Sequence, residues 1–137
     1  MPRVIRPVPD RDDACFWDAV QAGRLVAHAC ASCGRLAHPP VPMCPVCGSV
    51  DWVERELSGR GTIHSWIVSK HPSQPDDPER LVVLVDLEEG IRFVSNLQEI
   101  DAAEVTGGLP VEVLFTKVDG CTLPQFRPAS RGPRVGA

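Results

Sequence analysis

Residues 30–49 read CASCGRLAHPPVPMCPVCGS, and their four cysteines decide the fold of the first half of the chain. Cys30 and Cys33 form one CxxCG unit and Cys44 and Cys47 form a second, with ten residues between the pairs. Each unit can make a tight turn that points two thiolates at one ion. Gly34 and Gly48 follow where the backbone must turn sharply and offer N–H groups to sulfur. Two such turns supply a closed four-sulfur tetrahedron, which suits structural zinc and leaves no open position for catalysis. The competing reading, two disulfides in a secreted protein, lacks the signal peptide it would need, so a reduced, cytoplasmic setting is expected. His28 and His38 flank the cysteines, but four thiolates already complete a zinc shell. Pro39, Pro40 and Pro42 stiffen the excursion between the pairs. Cys15 and Cys121 are left over and read as small buried hydrophobes.

Upstream, residues 1–11 carry three prolines and no helical period, and read as an extended arm. Asp12 or Asp13 can cap a short helix through about Ala22, and Gly23 ends it. Phe16, Trp17 and Val20 form its apolar face. Two readings of that face stay open: it docks on the chain's own domain, or it forms a partner interface, where aromatic side chains are enriched. Arg24 to Ala29 reads as a strand leading into the first cysteine pair. Trp52 is expected to cover the ribbon or its junction with the next domain.

From Leu57 onward the pattern becomes strands and turns. LSGRGTIHSWIVS begins with glycines and continues with β-branched and aromatic residues. LVVLVDL (81–87), the turn EEG (88–90) and IRFVSNL (91–97) read as a hairpin. IDAAEV (100–105) is expected to make one helical turn, broken by Gly107, Gly108 and Pro110. VEVLFTKV alternates, with Val111, Val113 and Phe115 on one face. Asp119-Gly120 is a hairpin turn before the last strand, CTLPQFRP, whose Pro124 must sit at an edge or bulge. Five strands with a short helix between the third and fourth match an OB-type Greek-key barrel. Its inward set is expected to include Val83, Val85, Phe93, Val113 and Phe115. The loop from Lys70 to Arg80 and the tail from Pro128 are expected to be mobile, with Arg131 and Arg134 in the tail as candidates for an anionic group.

At 137 residues the chain holds one ordinary domain or two small ones. No run approaches the roughly 20 apolar residues that cross a membrane. A net charge of −4 does not attract a polyanion in general. Ser65, His64 and Asp86 fail as a catalytic triad, because neighbours on a strand point to opposite faces. Gly59-Arg60-Gly61 lacks the following helix of a phosphate loop. No catalytic residue is therefore assigned.

Taken in order, FWDAVQAGRL, CASCGRLAHPPVPMCPVCGS, LSGRGTIHSW, VDLEEGIRFVSNL and GGLPVEVLF resemble the zinc-ribbon plus OB-fold family once called domain of unknown function 35. The resemblance runs from about Phe16 to Pro128. It implies a mainly β chain: an N-terminal arm and short helix (1–23), a rubredoxin-like ribbon (24–56), a five-stranded OB-fold barrel (57–128) and a flexible tail (129–137). It also implies an accessory subunit. Members of that family accompany thiolase-like acyl-CoA enzymes, some of them steroid side-chain aldolases, and hot-dog-fold hydratases. Acyl-CoA is then expected at a shared interface, while Phe16, Trp17 and Val20 stand as the candidate partner-interface residues from the helix face. The chain departs from the family where many members carry an aromatic residue, often tyrosine after proline, before the second strand; here Pro78 precedes Glu79, Arg80 and Leu81. Two other classes remain: a nucleic-acid-binding module stacking bases on Trp66, Phe93, Phe115 and Phe126, and a rubredoxin-like electron carrier with iron in the cysteine site.

Overall fold

The computed structural model describes residues 7–70, 76 and 78–129. Most of the extended arm, most of the 70–80 loop, and Arg131 and Arg134 of the tail lie outside them.

Helix α1 spans Ala14–Gln21 and ends at Gly23, whose φ of 77° lies in the region glycine favours. Asp13 occupies the N-cap position without capping. Its carboxylate instead accepts the Asp10 N–H at 2.7 Å, while Asp10 accepts from Asp12 and Asp13. The turn before the helix takes the carboxylate that the helix end would have used.

Strands β1 (Val26–Cys30), β2 (Leu36–Ala37) and β3 (Trp52–Glu56) form an antiparallel sheet in the order β2-β1-β3. Trp52 lies over His28 with ring centroids 5.8 Å apart, and its indole N–H donates to the Pro42 carbonyl. That indole ties the proline-rich excursion to the sheet, as the sequence suggested.

Five further strands complete the chain: β4 (Arg60–Ser69), β5 (Arg80–Leu87), β6 (Arg92–Asn96), β7 (Pro110–Val118) and β8 (Cys121–Pro128). They lie in the order β6-β5-β4-β7-β8, all neighbours antiparallel. The ends of this sheet meet where Leu97 bridges Phe126 in parallel and the Gln98 N–H donates to the Phe126 carbonyl at 2.8 Å. The result is a nearly closed five-stranded barrel with the OB-type order. A single turn of 3₁₀ helix (Ala102–Glu104) precedes β7. The β7–β8 turn has positive φ at both Asp119 and Gly120, which matches the twist of the flanking strands. Pro124 lies in β8, at the end of the strand order, where its missing N–H costs little.

Val83, Val85 and Phe93 fill the barrel with Ile63, Leu87, Val111 and Phe126. Val113 and Phe115 face the same way but remain half-buried near the barrel's end. Gly59 and Gly61 serve close packing: a Cβ on Gly61 would press on the Asp86 carbonyl, and one on Gly59 would meet Val113. The apolar cluster does not stop at the barrel. Phe16, Val20, Leu25 and Ala27 join it, so helix, ribbon and barrel share one core. Gln21 strengthens that junction through two hydrogen bonds to the backbone of Thr122, 101 positions later.

Candidate metal centre and its surroundings

The two cysteine turns are near copies of one another. In the first, Cys30 donates its N–H to Arg35 O and Gly34 returns its own to Cys30 O; in the second, Cys44 donates to Ser49 O and Gly48 returns to Cys44 O. Gly34 and Gly48 both have φ near +78°, at 79° and 78°. This local geometry needs only the CxxCG pattern, which is why the sequence reveals it. The turns bring Cys30 to within 3.5 Å of Cys47 and Cys33 to within 3.7 Å of Cys44, sulfur to sulfur. All four sulfurs lie within 4.8 Å of one another.

The electrostatics fit a cation. The Cys30 thiol is pulled down to about 6, first by the backbone N–H of Cys33 and, against burial, by that of Ser32. Cys44 is lowered in the same way by the N–H groups of Cys47 and then Val46. At Cys47 the Ser49 N–H pulls down, but Cys30, burial, Cys33 and Cys44 together outweigh it and push the thiol up to about 12. Four crowded sulfurs cannot all ionise without positive charge among them. The donor set and the N–H groups aimed at it make a metal site of the soft, four-thiolate kind.

Cys15 and Cys121 stay outside this cluster. Cys15 donates its S–H to Glu54 at 3.3 Å, and its thiol is raised by burial and by that carboxylate. His28 and His38 are not part of the cluster either. His38 stacks on Phe93 at 4.6 Å, and burial lowers its imidazole to about 4. It is a neutral aromatic packing group.

The expected helix interface is only partly available. Phe16 and Val20 are 6% and 0% exposed in the chain's own core, because Phe93 and Phe126 leave an apolar surface that this helix covers. Trp17 stays half-buried and helps line a cavity of about 340 Å³ with His38, Pro40, Phe93, Asn96 and Pro124. Sequence reasoning missed this cavity, whose walls come from α1, the inter-pair excursion, β6 and β8. No local pattern announces such an assembly.

His64 lies 3.3 Å from Asp86, and Asp86 accepts from Arg92 at 2.8 Å. The Arg92 hydrogen bond, and then its charge, lower the Asp86 carboxyl. This is an exposed ion cluster on the outer face, not a triad with Ser65. Base stacking is also poorly served. Phe93 and Phe126 are buried and Phe115 is half-buried, leaving Trp66 as the exposed ring of that set. The described residues contain no helix long and apolar enough to cross a membrane.

Comparison with known proteins agrees with this geometry. Residues 17–53 match "ChsH2, rubredoxin-like zinc ribbon domain", and residues 54–116 match "ChsH2, C-terminal OB-fold domain". A solved structure, "Ltp2-ChsH2(DUF35) aldolase", superposes with a TM-score of 0.85 at 42% identity, covering 91% of this chain and 100% of that one. The "Probable enoyl-CoA hydratase alpha subunit" of Thermomonospora curvata is 43% identical over 132 residues, covering 93% of this chain and 41% of the relative. The "3-oxo-4,17-pregnadiene-20-carboxyl-CoA hydratase alpha subunit" of Mycobacterium tuberculosis is 37% identical over 126 residues, covering 91% of this chain and 40% of the relative. The chain thus spans about two fifths of the length of these two curated relatives. A four-thiolate ribbon joined to an OB barrel, matched along both parts, places this chain in the ChsH2/DUF35 family.

Proposed function

We propose that the chain is a non-catalytic accessory subunit that binds and completes a thiolase-like acyl-CoA enzyme. One observation carries the reading: the solved relative, matched over its whole length, is named "Ltp2-ChsH2(DUF35) aldolase", with Ltp2 beside ChsH2 in that name. Within that assembly, Cys30, Cys33, Cys44 and Cys47 hold one structural zinc ion. Zinc supplies the ribbon with the stability that so small a sheet cannot draw from burial alone. Ribbon and barrel then present a rigid surface that orders the partner's loops, so less free energy is spent on ordering when substrate binds. The partner supplies the reacting groups, and acyl-CoA lies at the shared interface. A bulky, steroid-type CoA ester is the preferred substrate, on the analogy of the pregnadiene-carboxyl-CoA hydratase subunit. The two relatives named as hydratase subunits support a second partner, a hot-dog-fold hydratase.

Reconstitution tests this reading. The chain is co-expressed with a thiolase-like acyl-CoA enzyme from the same source, and complex mass, metal content and turnover of an acyl-CoA panel are measured. The expected result is a stable hetero-oligomer with one zinc per copy of this chain. Turnover should need both proteins. A thiolase-like enzyme equally soluble and active alone would remove the accessory role. A red, iron-loaded protein would favour electron transfer instead.

A further inference from the structure

We propose that the open outer edge of β4 is where the partner docks, by adding an extended strand of its own. The proposal rests on the accessory-subunit reading and names the surface that serves it. Strand β4 pairs with β5 from Gly61 to Ser69, but with β7 only from Arg60 to Thr62. The β7 side ends at Ile63, whose N–H donates to Leu109 O and whose carbonyl accepts from Gly108. A bulge follows at His64. Beyond it every residue of β4 to Ser69 is exposed.

The register fixes which backbone groups face the open side. Val68 lies opposite Leu81, and the Leu81 carbonyl accepts from Leu97 on its far side. In an antiparallel ladder a residue turns both its polar groups one way, so Val68 and Leu81 turn away from each other. Trp66, opposite Val83, has the same phase. The N–H and C=O groups of Trp66 and Val68 therefore point outward. Among the described residues, no backbone hydrogen bond from another segment reaches them. Lone edges are usually guarded by lysine, proline or a bulge, and the bulge at His64 lies before the stretch with open groups. This one offers Trp66, Ile67 and Val68 in succession, at 37%, 62% and 48% exposure.

An apolar sheet face adjoins the edge. Ile67 and Val82 share one outward row with Asn96; Leu84 and Val94 share the next with Ser65. Val94 is 66% exposed. The His64–Asp86–Arg92 ion cluster bounds the face at one end. Outward groups two residues apart call for an extended main chain, because a helix has no free backbone donors along its side. A second copy pairing edge to edge would extend the sheet and leave Val94, two strands away, in water. A larger protein that adds a strand and lays apolar side chains behind it covers both surfaces. The occupant is therefore an extended segment of the thiolase-like partner, with apolar residues on both faces.

The test uses the full chain co-expressed with a thiolase-like acyl-CoA enzyme from the same source. Val68→Pro removes an outward N–H that β5 does not use. Val94→Glu charges the face. Val8→Glu, in the exposed segment before α1, is the control. All three should keep wild-type circular dichroism and metal content. Val68→Pro and Val94→Glu should each bind the enzyme at least roughly 30-fold more weakly, and the control should bind unchanged. If the wild type binds and these two variants bind equally well, the docking surface is elsewhere, while the accessory role stands. If the wild type self-associates, and Val68→Pro abolishes that without affecting enzyme binding, the edge belongs to a second copy and the proposal is overturned. If the wild type binds no enzyme, both readings fall.

Discussion

A serine at position 44 would keep the shape of Cys44 and lose its thiolate. Cys44 is buried, so water cannot easily replace the missing ligand. Cys44→Ser should release the metal and loosen the ribbon, where a structural zinc ion would contribute on the order of 10 kcal/mol. Metal analysis and the circular dichroism of the purified variant check this; full metal retention would reject the four-cysteine shell. His38 gives a second prediction at this scale. Its folded value is lowered to about 4 by burial, from an ordinary value near 6.5. Between those limits the unfolded chain takes up a proton that the folded imidazole refuses. Stability should therefore fall as pH drops through that window, by roughly 2 kcal/mol between pH 7.5 and pH 5. Urea titrations of wild type and His38→Leu, both metal-loaded, should differ by that slope. The clustering of the four cysteines was legible in the sequence because a CxxCG turn is local. The use made of Asp13 was not, because a second carboxylate at Asp10 rearranged the turn.

Among the elements, β4 depends on Gly61 lying against the carbonyl of Asp86. Gly61→Ala should push β4 and β5 apart and cost about 2 kcal/mol, as overpacking of a close contact does. Equilibrium unfolding measures it, and a cost below a few tenths would mean the strands yield freely. The strands themselves were readable from their period, the β5–β6 and β7–β8 hairpins from their turn residues. The bulge at His64 was not, since a run of β-branched and aromatic residues looks the same with or without an extra residue. Burial along β7 also departed from the simple alternation: Val111 is fully covered, while Val113 and Phe115 run toward the barrel's end. Period two tells which side a residue faces and leaves open how far the cover extends.

For the whole molecule, the shared core predicts one cooperative unit. Phe16 packs against Trp17, His38 and Phe93, and so touches helix, inter-pair excursion and barrel together. Phe16→Ala should cost about 3 kcal/mol and lower the midpoint of ribbon and barrel alike. Two separate transitions, followed by metal release from the ribbon and by far-ultraviolet circular dichroism, would show that the parts unfold independently. The destination of the helix face was undetermined in the sequence, because an amphipathic stripe does not say which surface covers it. The cavity beside Trp17 was hidden for a related reason: its walls come from four separate segments.

The clasp between Gln21 and Thr122 has a consequence for how the chain is made. A helix that precedes the ribbon is held by the last strand of the barrel, 101 positions later. During synthesis the ribbon and β6 can cover Phe16 early, but the Gln21 end of α1 lacks its partner until β8 has left the ribosome. Such distant closure slows folding, since chain entropy is lost before the contact rewards it. A chain cut before Thr122 would then show its damage at the opposite end, as a helix free to be clipped by protease.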